Sequence, residues 1–161
     1  MASILKVNTI QDATNSNTAM SIDSNGQVTT PAKPVFCAIR ATHQTSAGVG
    51  AFDVAIVNVG SHYSTSTYRF TAPVAGTYWF TCTGLPYTTS SGDFFYFRKN
   101  GTHYGDGLGG GAAFKTYIIN ADESITNSLP ITLAASDYVD TYFVANGTEA
   151  NYSHFSGYLI G

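Results

Sequence analysis

The sequence predicts an all-β sandwich of about ten strands. Helical periodicity is absent, and short alternating runs are separated by clusters of Gly, Asn, Asp, Ser and Pro. Tyr78, Phe80 and Cys82 alternate with Thr77, Trp79 and Thr81, which is typical of a strand with one buried face. The turn at residues 73–76 begins with Pro and ends with Gly, so it separates this strand from the preceding one. Strands are predicted near residues 35–42, 53–58, 67–72, 77–84, 93–99, 113–120, 130–133, 137–144 and 153–160.

Residues 1–33 are predicted to be a short anchoring segment, separate from the head domain of residues 34–161. Residues 3–11 alternate, a polar stretch follows, and Asn25-Gly26 within residues 21–29 is a hairpin signal. Pro31 and Pro34 mark the boundary. Two short strands cannot bury a core by themselves, so this segment is expected to dock on another surface.

Seven residues between positions 52 and 80 form a spaced pattern that is typical of one protein family. The pattern resembles the signature of the complement-one-q-like globular domain, a trimeric jelly roll related to the tumour necrosis factor fold. Cys82 stands where that family has Phe or Tyr. Residues 133–139 and 154–159 resemble the last two strands of the family, and the resemblance implies a homotrimeric jelly roll. The signature residues are Phe52, Asn58, Tyr63, Phe70, Gly76, Tyr78 and Phe80.

Two predicted strands, at residues 93–98 and 154–160, carry large apolar groups on both faces. A strand in an antiparallel sheet usually has one wet face, so a second burial partner is expected. A loop of the same chain is one explanation, but we favour a subunit interface. The residues assigned to the trimer interface or core are Phe95, Phe97, Phe155, Tyr158 and Ile160.

Composition limits the function classes. Charged residues are 11% of the chain, which favours an oligomer that buries part of its surface. The net charge of −3 argues against nucleic-acid binding. No apolar run is long enough for membrane insertion, and the N-terminus has no apolar core of a signal peptide, so synthesis in a cytoplasm is expected. Cys37 and Cys82 are expected to be reduced thiols.

No catalytic constellation is present in the sequence, and we predict a protein that is not an enzyme and holds no cofactor. The Gly-rich residues 105–111 are not followed by the Lys-Ser or Lys-Thr of a phosphate loop. His103 and Asp106 can supply two metal ligands, but a site needs further groups. We therefore predict no metal site.

The connections near residues 43–51, 100–112 and 145–152 are expected to gather at one end, the apex of the jelly roll. Loops on a rigid scaffold are a common place for binding residues. Their rings, amides and carboxylates suit a carbohydrate or a polar protein epitope. The alternative for any single residue is an ordinary solvated loop position. The candidate ligand-binding residues are His43, Gln44, His103, Tyr104, Asp106, Asn146, Glu149, Asn151 and Tyr152.

The N-terminal segment resembles the leader of bacteriophage tail fibre and virion appendage proteins, which often begin with an Ile-Leu-Lys-Val-x-Thr-Ile run. Residues 4–10 read Ile-Leu-Lys-Val-Asn-Thr-Ile. The leading hypothesis is a trimeric virion appendage that recognises a host-surface glycan or protein, anchored to other virion proteins through residues 1–33. The alternative is a structural virion protein, such as a head fibre, decoration protein or tail adaptor, that acts in assembly.

Overall fold

The computed structural model describes residues 4–86, 94–105, 114–117, 123–144 and 148–161. All regular secondary structure in these ranges is β-strand, as the alternating patterns predict. The strands are β1 Thr9–Gln11, β2 Thr18–Ile22, β3 Val28–Thr29, β4 Val35–Ile39, β5 Gly48–Val49, β6 Val54–Val59, β7 Tyr63–Ser64, β8 Arg69–Thr71, β9 Gly76–Gly84, β10 Phe94–Lys99, β11 Thr102–His103, β12 Thr116–Tyr117, β13 Ile125–Leu133, β14 Tyr138–Val144 and β15 His154–Leu159.

Two antiparallel sheets form a sandwich. The first has five strands in the order β13-β9-β15-β4-β6. The second has seven strands, in the order β11-β10-β14-β8-β7, with β12 also paired to β10 and β5 to β14. The chain repeatedly crosses from one sheet to the other, so residues distant in sequence meet between them. The predicted all-β sandwich is confirmed.

Aromatic rings fill the space between the two sheets. Phe36 lies near the centre, with its ring centroid 4.8 Å from that of Tyr63, 5.0 Å from that of Phe70 and 4.8 Å from that of Phe155. All four side chains are at most 3% exposed. Stacked and edge-on pairs of this kind add to the free energy gained by burying the rings.

The spaced signature residues are structural. Asn58 donates a side-chain hydrogen bond to the Tyr63 carbonyl (2.8 Å) and accepts one from the Tyr63 amide (3.0 Å). The Tyr63 hydroxyl donates in turn to the buried carbonyl of Phe52 at 2.9 Å. A Cβ at Gly76 would lie 2.8 Å from Leu159 Cδ1, so a larger residue would collide with the last strand. The remaining signature side chains, Phe70, Tyr78 and Phe80, are buried in the core.

Strand β13 is longer than predicted and begins five residues earlier than the predicted segment, at Ile125. Pro130 lies within it, opposite Trp79 of β9. Because β13 is the edge strand of the five-stranded sheet, the amide hydrogen that Pro130 lacks is not needed for pairing.

The residues assigned to the trimer interface or core divide into two groups. Phe95, Phe97 and Phe155 point between the two sheets and are at most 1% exposed, so they are core residues of a single protomer and not interface residues. Tyr158 and Ile160 are each 47% exposed. Both strands do carry large apolar side chains on both faces, but the sequence does not show which of the two alternating sets faces the core.

The N-terminal segment forms a small sheet of its own, with the order β1-β2-β3. The Asn-Gly hairpin is present between β2 and β3, as a five-residue loop closed by the Asp23 carboxylate, which accepts from the amides of Asn25 and Gln27 at 2.8 Å each. The register places four apolar side chains on one face of this sheet, where Ile10 is 47% and Val28 57% exposed. We call it the leader face, and its members are Ile10, Met20, Ile22 and Val28.

Candidate functional site

The described parts of the loops that follow β4 and β14 meet at one end of the sandwich, together with residues 85–86. Ile39 at the end of β4 pairs with His154 at the start of β15. Glu149 N donates to the Leu85 carbonyl at 2.7 Å and Gln44 N to the Thr148 carbonyl at 2.9 Å. We call residues 40–53, 85–86 and 148–153 the apical cluster.

A buried guanidinium holds the apical cluster together. Arg40 is only 2% exposed, and its Nη1 donates to Gln44 Oε1 at 2.7 Å and to Thr148 Oγ1 at 3.3 Å. Its Nε donates to the carbonyl of Thr42. Asn151 N donates back to the Arg40 carbonyl at 2.8 Å. Burial lowers the pKa of Arg40, and these acceptors replace the water that the charge has lost.

Five of the predicted ligand-binding residues meet on this scaffold. His43 Nδ1 lies 3.2 Å from Glu149 Oε2 and 3.2 Å from the Ala150 amide nitrogen. Without a proton, Nδ1 accepts from the amide, whereas with one it donates to the carboxylate, so this atom cannot make both hydrogen bonds at once. Tyr152 is 65% exposed beside them. The five residues are His43, Gln44, Glu149, Asn151 and Tyr152.

The expectation that the connection at residues 100–112 also lies at the apex is wrong for its described part. Lys99 pairs with Val139 near the start of β14, and the Asn100 amide donates to the Tyr138 carbonyl at 2.9 Å, so the hairpin lies at the opposite end. His103 and Tyr104 follow on β11 and beside β10, away from the apical cluster. Strand direction decides this position: β10 runs antiparallel to β14, so it ends where β14 begins. Asp106 and Asn146 lie outside the described residues.

The outward face of the five-stranded sheet is uncharged. None of its five strands contains Asp, Glu, Lys or Arg, in a chain with 11% charged residues. One row across this face joins Val35, Tyr158, Trp79 and Pro130, and the next contains Cys37 and Ser156. Burial raises the pKa of the Cys37 thiol, and Cys37 and Cys82 are both free cysteines. We call this surface the uncharged face.

The seven-stranded sheet carries a charged group that sequence reasoning missed. Asp140 has no exposed surface, yet it contacts Arg69 and Arg98 on the outward side of this sheet. The available signal was the presence of single charges inside otherwise apolar strand patterns. In such a sequence, isolated charges that alternate with core residues indicate partners across the sheet.

Within the described ranges, no group of three or more His, Cys, Asp or Glu side chains is arranged to hold a metal ion. No helix there is long and apolar enough to cross a membrane.

The architecture defines a jelly-roll β-sandwich, and comparison with known proteins places it in a family. The family model of the C1q domain matches residues 35–160, so the chain belongs to the C1q domain family. The globular domain of the zebrafish complement 1qA protein superposes with a TM-score of 0.56 at 18% identity, covering 80% of this chain and 98% of that one. Murine APRIL superposes with a TM-score of 0.54 at 8% identity, covering 80% and 99%. No curated protein matches the sequence.

These matches confirm the complement-one-q-like jelly roll that the spaced signature indicated. Domains of this family are typically trimeric and non-enzymatic, and act in binding or as structural parts. The two structural likenesses are distant in sequence and establish the fold alone.

Proposed function

We propose that the chain is a non-enzymatic, homotrimeric appendage of a virus particle that attaches the particle to a host surface through its apical cluster. The observation that carries the proposal is the uncharged face. Exposed valine, isoleucine and tyrosine side chains on a sheet without any charged residue need a cover, and copies of the same chain supply it. The family favours three copies.

The orientation of the protomer supports this role. Strand β4 starts and β15 ends at the same end of the sandwich, since Val35 pairs with Tyr158, while the apical cluster lies at the other end. An assembly anchored through the N-terminal segment therefore presents the apical cluster outward. Three copies of a weak site on one rigid head gain avidity for a repetitive surface.

The viral setting rests on the leader resemblance. The exposed apolar leader face suits anchoring to another virion protein or to the same trimer, because three short strands cannot be stable alone with their apolar side in water. The division of the chain at residues 33 and 34 stays a prediction.

The attachment role is tested on particles that carry variant chains. Tyr152→Ser and Glu149→Gln change exposed or half-buried apical groups, so adsorption should fall while particle assembly stays normal. The matched control is Val74→Ser, which changes a side chain that is 48% exposed at the opposite end. Normal adsorption by both apical variants would refute recognition by the apical cluster.

The second candidate function is structural, as a head fibre, decoration protein or tail adaptor. The leader face favours it, because anchoring alone is enough for that role. Val28→Lys places a charge on the leader face, and Thr29→Lys is the control on the polar face of the same strand. Incomplete particles with Val28→Lys, together with normal adsorption by the apical variants, would favour the structural role.

A further inference from the structure

The outward side of the seven-stranded sheet combines tyrosine rings with arginines. Strand register brings Tyr96 opposite Tyr142 and Arg98 opposite Asp140, with Tyr138 two residues before Asp140 on the same strand. Arg69 joins them from the neighbouring strand, β8. We call this surface the basic-aromatic face, and its members are Arg69, Tyr96, Arg98, Tyr138, Asp140 and Tyr142.

Asp140 fixes both arginines. Arg98 donates to it through two nitrogens, from Nε to Oδ1 at 2.6 Å and from Nη2 to Oδ2 at 2.9 Å. Arg69 Nε donates to Oδ2 at 3.2 Å. The hydrogen bonds that Arg98 donates to Asp140 raise the pKa of Arg98. A buried carboxylate held between two guanidinium groups leaves the whole cluster with an excess of positive charge.

Each arginine also lies over a tyrosine ring. The Cζ of Arg69 is 4.3 Å from the ring centroid of Tyr138, and the Cζ of Arg98 is 4.8 Å from that of Tyr142. Stacking and the bonds to Asp140 restrict both side chains before any ligand arrives, which lowers the entropy lost on binding.

Hydrogen-bonding capacity is left over on the exposed side. Arg69 uses only its Nε within the described part of the chain, and its side chain is 37% exposed. The spacing of its two terminal nitrogens matches that of the two oxygens of a carboxylate. A guanidinium binds a carboxylate through two parallel hydrogen bonds.

Further rings lie next to the arginines, and the His103 ring centroid is 4.2 Å from that of Tyr96. The centroids of Tyr96 and Tyr142 are 5.6 Å apart with an interplanar angle of 26°, and Phe94 lies 6.0 Å from Tyr96. Lys115 Nζ lies 4.8 Å from the Phe94 centroid. Three of the seven basic residues of the chain therefore stand over rings on this one sheet. From Phe94 to Arg98 the strand runs roughly 13 Å, enough for a short oligosaccharide.

We propose that the basic-aromatic face binds an acidic saccharide, with the Arg69 guanidinium pairing with a sugar carboxylate and the tyrosine rings packing against the apolar faces of the sugars. Charge complementarity selects this occupant. The face carries two arginines against one carboxylate, on a chain whose net charge is −3. Rings beside an arginine fork suit a ring-shaped anion better than a flexible one.

The site goes beyond the proposed attachment role and does not depend on it. It lies on the side of the head and not at the apical cluster, and it is tested with purified protein and not with particles. A head that binds no host surface can still bind the saccharide, and the apical variants described above leave this face unchanged.

The test is a titration of the purified full chain with trigalacturonic acid at 0.15 M salt. Binding is measured by calorimetry and by NMR of the tyrosine rings. The comparison ligand is the fully methyl-esterified trimer, which has the same sugar rings without the charges. The acid should bind at least tenfold more tightly than the ester. Equal binding of the two ligands, or no binding of the acid, would overturn the proposal.

Two variants locate the site. Arg69→Gln keeps the paired contact between Arg98 and Asp140 and should weaken binding of the acid at least fivefold. Tyr142→Leu removes a ring and should weaken it similarly. The charge-matched control is Lys33→Gln, at the base of the head, which should change the affinity less than twofold. If Lys33→Gln weakens binding as much as Arg69→Gln, the attraction is diffuse and the site is refuted.

Two further measurements separate binding from folding. Arg69→Lys keeps the charge but loses the fork, so it should still weaken binding at an unchanged melting temperature, and full affinity would contradict a paired contact. Triglutamate carries the same number of side-chain carboxylates without sugar rings and should bind at least fivefold more weakly than trigalacturonic acid. Equal affinity for triglutamate would refute the role of the rings.

Discussion

Tyr158→Ser should dissociate the proposed trimer while the protomer stays folded. Tyr158 is 47% exposed in the protomer and lies in the middle of the uncharged face, between Val35 and Trp79. With a side-chain area of about 200 Å², roughly half of it is left for a neighbouring subunit to cover. At about 25 cal/mol per Å² this amounts to about 2 kcal/mol per protomer.

Three copies contribute about 6 kcal/mol, or about four orders of magnitude in the association constant of the trimer. The assay is light scattering together with sedimentation over a range of protein concentrations. The matched control is Tyr152→Ser, which removes a ring that is 65% exposed in the apical cluster and should leave the trimer intact. If Tyr158→Ser and the wild type have the same association constant, or if the wild type is a monomer, the reasoning about the uncharged face is refuted.

Three further predictions concern packing and pH. A Cβ at Gly157 would lie 2.6 Å from Phe80 Cδ1. Gly157→Ala should therefore lower the unfolding free energy, measured in urea, by about 1–3 kcal/mol. Gly161→Ala is the control, because a Cβ there would meet open space, and it should leave the unfolding free energy unchanged. Burial lowers the pKa of His154 on the uncharged face, so its stabilising effect is complete above the unfolded pKa near 6.5 and is lost as the pH falls below it. The unfolding free energy measured in urea should therefore fall below about pH 6.5, and His154→Gln should remove this fall. Hydrogen bonds from a neighbouring amide and ammonium group lower the pKa of Asp137 to about 2, so stability should fall between about pH 4 and pH 2, and an equally steep acid transition in Asp137→Asn would contradict this.

Much of the fold was predictable because its signals are local. Alternation fixes which side chains of β9 share a face, and the spaced signature encodes contacts that recur in the structure, such as the pair of hydrogen bonds between Asn58 and Tyr63. The candidate site was only partly predictable. The apical position of His43 and Glu149 was expected, but the apical position expected for His103 was wrong, because β10 runs antiparallel to β14 and its hairpin lies at the other end.

Arg40 and Asp140 show what a sequence pattern leaves open. Each is a single charge in a polar or strand context, and nothing beside it in the chain reveals that it is buried. Each has a partner far away in the sequence: Arg98 lies 42 residues from Asp140, and Thr148 lies 108 residues from Arg40. Only the packing of distant strands shows that these charges are structural centres.

The sequence by itself was enough to indicate a jelly roll of the complement-one-q kind. Alternation and turn residues indicate the strands, and the spaced aromatics resemble the family signature, and all of these signals lie close together in the chain. It also determined that charge is scarce. The tertiary structure decided which surface of the protein lacks charged residues. Pairing β13, β9, β15, β4 and β6 into one sheet collects the uncharged strands on a single surface. Pairing β14 with both β10 and β8 collects arginines and rings on the opposite one. Sheet order and register are long-range properties, and they assign the faces of this protein to different roles.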